Sequence, residues 1–223
     1  SLKKVDPTVS IAESDELETW LDSSSRNSGE RRFNAYKRLL DDEGKGTIVN
    51  SMDADTYKIL DSCHNPKILN REWDRRGLVY GHVQSGKTAN MAGVIAKAAD
   101  SGYKLIIVLA GLTKSLRAQT QARIQNDILQ HNDILWHPLT DNENDIEEGL
   151  DAIPIFTKKT TICIIKKNVQ VIVKLISKMK RMPKLEMQAS TLIIDDECDQ
   201  ASLNTKEYKD KADEISSTNK LLK

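Results

Sequence analysis

From about residue 71 onward, short apolar runs alternate with stretches of helical periodicity. "GLVY" (77–80), "KLIIVLAG" (104–111), "TTICIIKK" (160–167) and "TLIIDDE" (191–197) are nearly continuous in Leu, Ile and Val. That composition predicts strands buried on both faces. Between them, apolar spacing predicts helices from Lys87 to Asp100, from Thr113 to about Leu129, and from about Asn168 to Met182. Strands alternating with helices predict an α/β fold with a parallel sheet wrapped on both sides. The first of these helices, "TANMAGVIAKAA", is rich in small residues that let it sit close against a sheet, and Gly102 can close it.

Residues 1 to about 70 read differently, as helical and irregular. Phe33, Tyr36, Leu39 and Leu40 fall at helical spacing, with Gly44 or Gly46 as a stop. A second helix is expected after a cap at Ser51 or Asp53, with Tyr57, Ile59 and Leu60 as its apolar positions. "SSSRNSG" (23–29) reads as a flexible connection. The expected organisation is a helical N-terminal extension over 1–70 and an α/β lobe over 71–223.

Composition narrows the function classes only modestly. Lys plus Arg and Asp plus Glu number 33 each, so net charge neither indicates nor excludes a nucleic-acid partner. Cys63, Cys163 and Cys198 lie far apart with no Cys-x-x-Cys pair, as in a reduced, cytoplasmic protein. The histidines His64, His82, His131 and His137 are equally scattered, which argues against a metal cluster. No run reaches membrane-spanning length, and "SLKKVDPTVS" lacks the apolar stretch of a secretion signal. No membrane partner is therefore expected.

The strongest chemical signal is "YGHVQSGKTAN" (80–90), a glycine, four residues, then Gly-Lys-Thr. A bound phosphate needs several backbone N–H groups turned inward, with glycine where a side chain would obstruct them. Gly81 and Gly86 supply those positions, and His82, Val83, Gln84 and Ser85 complete the loop. Lys87 would reach the β- and γ-phosphates of ATP, and the Thr88 hydroxyl would ligate Mg2+. The helix opening at Lys87 adds its positive end. A glycine turn joining a strand to a helix is the plain alternative. "TLIIDDECDQAS" weighs against that alternative by placing carboxylates at the end of an apolar strand, where open α/β sheets bind ligands. Either Asp195 or Asp196 could hold the metal, and Glu197 is suited to activate the attacking water.

Residues 157 to 185 contain nine Lys and Arg and no acid. Lys174, Lys178 and Arg181 fall on one helical face, and Val169, Ile172, Val173 and Ile176 can form the buried one. The basic face is either a track for phosphates or, the reading we favour, a solvated surface balanced by "DNENDIEEGLD" (141–151). "KEYK" supplies Glu207 and Lys209, which with Asp196 or Asp199 faintly echo a nuclease metal site. Their flanks are polar rather than an apolar strand, so no nuclease centre is expected there.

"DECD" (196–199) resembles the D-E-x-D box of superfamily-two helicases, which selects Asp196 as the metal ligand. "TKSLRAQ" (113–119) resembles that family's P-T-R-E-L-A-x-Q segment at Thr113, Lys114, Leu116 and Gln119, departing at Leu112 and Ser115. The resemblance implies that Thr113 and Lys114 touch a nucleic-acid backbone, and that Asp199 and Gln200 couple nucleotide state to movement. Residues 73 to about 205 are most similar to the Z-one domain family, whose members carry the label endonuclease; Gln84 and the run Asp195 to Ser202 are the distinctive matches. This resemblance implies a RecA-like P-loop ATPase lobe using ATP and Mg2+. It also implies a bacterial, helicase-like motor acting on DNA or RNA in restriction or phage defence, with a histidine-kinase-like ATPase or another defence protein as possible partner. The family's Thr-Ala-Thr-Pro box and second lobe are expected beyond "SSTNKLLK". The strand that lies between the two boxes in such ATPases has no apolar run after Glu197 to supply it. The alternative output is an ATP-gated switch that remodels or recruits a protein partner without translocating.

Overall fold

The computed structural model describes residues 9–11, 19–21, 31–68, 75–80, 87–146, 150–196 and 198. The chain forms two compact units, one of residues 1–103 with 127–132, the other of 104–126 with 133–223. The division falls after Tyr103, whereas the sequence pattern changes near residue 71.

In the first unit, α1 (Arg31–Asp42) buries Phe33, Tyr36 and Leu40. It ends where Gly44 takes a φ of 73°, a conformation that costs glycine little. The second helix, α2 (Gly46–Asp61), opens well before the expected cap, so Ser51 and Asp53 lie inside it. Its buried stripe of Val49, Met52, Thr56 and Leu60 explains the difference, because Val49 extends the apolar period one turn further back.

The next helix, α3 (Lys87–Ser101), packs against both. At Gly93 an added Cβ would lie 2.8 Å from Thr56 Cγ2 and 3.3 Å from the Phe33 ring. The small residues thus allow a close approach to α1 and α2. Lys97, 2% exposed, pairs with Asp53 and sits 4.2 Å over the Phe33 ring centroid. Asp100 reaches the start of α1, accepting from the backbone N–H of Arg32 at 2.9 Å and of Phe33 at 3.0 Å. It also pairs with Arg32 Nη1 at 3.0 Å. A carboxylate here satisfies two otherwise unpaired helix N–H groups and faces the positive end of the helix. Asp100→Ala is therefore expected to lower unfolding stability by about 3–5 kcal/mol, because it strands a buried guanidinium; urea unfolding followed by circular dichroism measures it. Gly102, at φ 119°, closes α3 as expected.

The run "GLVY" does form a strand, β2 (Leu78–Tyr80), but not one of the parallel sheet. It pairs antiparallel with β1 (Val9–Ile11) in a separate two-stranded ribbon. Leu78 and Val79 are 50% and 42% exposed, so two-sided burial does not hold for this strand. The pattern of Val9–Ile11 does not distinguish it from irregular chain.

The second unit is built on a four-stranded parallel sheet flanked by helices, an α/β architecture. Its strands are β3 (Leu105–Ala110), β4 (Trp136–Pro138), β5 (Thr160–Lys166) and β6 (Thr191–Asp195), in the order β4-β5-β3-β6. Every residue of β3 is buried, as its unbroken apolar run requires. Register places Ile107 beside Cys163 and Ile193, and Leu109 beside Ile165 and Asp195. On one face, Leu105, Ile107, Leu109, Cys163 and Ile165 form a core with Ile172 and Leu175 of α5 (Val169–Lys180) and with Ile146 and Ile153. Burial pushes the Cys163 thiol up to about 12, which leaves it inert at neutral pH.

Helix α4 (Lys114–Ile124) packs on β5 and β3 with Arg117, Gln121 and Ile124 buried, and continues as a π-helical turn over Gln125–Leu129. The Gln121 side chain and Thr140 bond reciprocally, and the Thr140 hydroxyl accepts from Ile164 N–H at 3.0 Å. The short helix α6 (Lys184–Met187) precedes β6. Among the described residues no helix is long and apolar enough to cross a membrane.

Candidate functional site at the carboxyl edge of the sheet

The second unit gathers polar groups where β3, β5 and β6 end. Gly111 follows β3 at φ 34°, and an added Cβ would lie 2.5 Å from Leu116 Cβ, so the turn into α4 requires glycine. Thr113 caps α4, its hydroxyl accepting from Leu116 N–H at 3.2 Å. Asn168 caps α5, its side-chain oxygen accepting from Gln170 N–H at 2.9 Å. Two helix N-termini therefore open at this edge, each carrying partial positive charge.

The two adjacent aspartates are treated differently. Lys167, just past β5, has a fully buried side chain, and its Nζ meets Asp195 Oδ1 at 2.6 Å. The strands carrying them are not neighbours, since β3 lies between β5 and β6. The ion pair therefore spans the end of the central strand, steadied by a bond from Lys167 N–H to Gly111 O at 3.0 Å. Asp196 is half-buried, and its backbone N–H donates to Leu109 O at 3.0 Å. That bond fixes the turn after β6. Among the described residues, no ion pair engages the Asp196 carboxylate.

The remaining expected site residues divide between placed and undescribed. Gly81, His82, Val83, Gln84, Ser85 and Gly86 lie outside the described residues, as do Glu197, Asp199, Gln200, Glu207 and Lys209. The connection 23–29 lies there too. Lys87 and Thr88 open α3, with their side chains undescribed. Lys114 is exposed at the start of α4, and Cys198, within the acidic box, is half-buried.

The basic tract differs from its expected form. Lys178 is buried and donates to Leu150 O, so it leaves the solvated face, while Val169 and Val173 are 38% and 47% exposed. The inward face of α5 is Ile172, Leu175 and Lys178, whose long stem packs while its ammonium finds a carbonyl. Lys174 and Arg181 remain exposed. The acidic segment folds back onto basic groups: the buried Arg117 donates to Asp141 O and Asn142 O at 2.8 Å each. Asp145 faces Arg117 at 3.4 Å and Lys166 at 3.6 Å. The Asn144 side chain, then the N–H groups of Asn144 and Glu143, bond Asp141 and hold its carboxyl below the usual range.

Among the described residues, no cluster of three or more His, Cys, Asp or Glu could cage a metal ion. A carboxylate such as that of Asp196, without an ion pair among the described residues, fits Mg2+ of the nucleotide-bound kind, which keeps its waters and takes one or two protein carboxylates alongside substrate phosphates. Lys167 escaped the sequence reading because it sits inside a basic run; its signal is its place directly after a buried parallel strand. No family model matches the chain, and no curated protein or solved structure is significantly similar to it.

Proposed function

We propose that this protein is a RecA-like P-loop ATPase of helicase type, similar to the Z-one domain family, acting on DNA or RNA in a bacterial restriction or defence setting. The supporting observation is the contrast at the end of β6: Lys167 pairs with Asp195, while the half-buried Asp196 has no ion-pair partner among the described residues at the sheet edge that binds ligands in α/β proteins. On this reading the loop Gly81 to Gly86 wraps the phosphates with backbone N–H groups, and Lys87 holds the β- and γ-oxygens. Thr88 and Asp196 are the residues that would hold the cation. Bound Mg2+ neutralises charge that develops on the phosphoryl oxygens. Glu197 orients the attacking water and takes its proton. Asp199 and Gln200 carry the change of nucleotide state to the nucleic-acid surface, of which Thr113 and Lys114 form part.

A second reading, an ATP-gated switch acting on a protein partner, has two observations in its favour. The Thr113 hydroxyl is already committed to capping α4, and Lys178 is turned into the core. ATP turnover by the whole protein, with and without single- and double-stranded DNA and RNA, separates the two. The motor reading predicts a rise of about tenfold or more that weakens with salt. A rate indifferent to every nucleic acid supports the switch.

A further inference from the structure

We infer that Lys167 is a positioning residue: it withdraws Asp195 from cation binding and leaves Asp196, of the two adjacent aspartates, as the metal ligand. The inference rests on the ATPase reading above and goes beyond it, since neither the phosphate loop nor the acidic box identifies a role for Lys167.

Two adjacent aspartates at a strand end are chemically equivalent in sequence, and side chains alternate along a strand, so only one can point along a given direction. Register puts Asp195 beside Leu109, on the face covered by α5. The Lys167 ammonium arrives on that face across the end of β3 and closes on Asp195 at 2.6 Å. The Lys167 side chain is wholly buried, whereas Asp195 keeps 23% of its side chain exposed. An unpaired carboxylate so placed would offer a second oxygen donor to any divalent ion held by Asp196. Two carboxylates and a flexible turn would favour a cation retained without nucleotide and would relax the preference for Mg2+ over the larger Ca2+. Neutralised by Lys167, Asp195 instead ties β6 to β5 through the central strand and fixes where Asp196 emerges. Asp196 thereby meets the cation only when phosphates supply the remaining ligands.

Mn2+ serves as the probe, its binding to the whole protein followed by electron paramagnetic resonance with and without a non-hydrolysable ATP analogue. Lys167→Met is expected to tighten nucleotide-free Mn2+ binding by about tenfold. Lys167→Met/Asp195→Asn should return it to the wild-type level. If Lys167→Met fails to fold, the single aspartate variants still decide. Asp195→Asn should keep Mn2+ affinity in the presence of the analogue within about twofold, and Asp196→Asn should lose about tenfold or more. Equal losses in the two variants, or a greater loss in Asp195→Asn, would overturn the inference. A folded Lys167→Met with unchanged nucleotide-free binding would do so too. Failure of the ATPase reading looks different: the wild-type protein then binds neither the analogue nor Mn2+ with it.

Discussion

Glu197→Gln is expected to bind ATP as tightly as the wild-type protein and to turn it over about 10^2 to 10^4 times more slowly, the span of a lost general base. The amide keeps the size and hydrogen-bonding reach of the carboxylate but cannot accept a proton from the attacking water. Binding should survive because, on the proposed mechanism, the phosphates are held elsewhere, by the loop N–H groups, Lys87 and the cation. Lys87→Ala should fail one step earlier and lose nucleotide outright. Single-turnover hydrolysis beside equilibrium binding of a fluorescent ATP analogue separates the two outcomes. Normal turnover by Glu197→Gln would remove that residue from the mechanism and point to another base near Asp196.

The parallel sheet was legible because buried strands leave an unmistakable trace. "LIIVLA" and "TTICIIK" cannot be amphipathic in either period, and both lie at the centre of the sheet, covered on two sides. The helices between them were legible through their period, and Gly102 closes α3 as expected; that Thr113 and Asn168 cap α4 and α5 emerges from the structure. The misses share a cause. Leu78–Tyr80 looks like a core strand when only three apolar residues are weighed, yet its partner Val9–Ile11 lies far away in sequence. Local pattern carries no information about that pairing. Trp136–Pro138 is too short and too polar for any period to show, and it becomes a strand because β5 offers its edge.

At the end of β6 the sequence shows two adjacent carboxylates but not which of them is paired. Asp195 and Asp196 are indistinguishable by composition. Their environments separate only when the sheet order brings Lys167 across β3 to one of them. The basic tract failed for a related reason. Helical spacing placed Lys174, Lys178 and Arg181 on one face, but a lysine stem can lie along an apolar surface, and Leu150 O supplied a buried acceptor for Lys178. Charge runs reveal net electrostatics better than they reveal which ammonium meets water.

The proposed site requires the Thr88 hydroxyl and the Asp196 carboxylate to touch one and the same cation, although 108 positions separate them in sequence (196 − 88). A double-mutant cycle on Mg·ATP affinity measures that sharing without any assumption about rate. Thr88→Ala and Asp196→Asn should each weaken binding by about tenfold or more. Once either ligand is gone the other has little left to hold, so the double variant should be barely worse than the weaker single one, with a coupling of about 1–3 kcal/mol. Losses that simply add, with coupling below about 0.5 kcal/mol, would mean that the two residues serve no common ion.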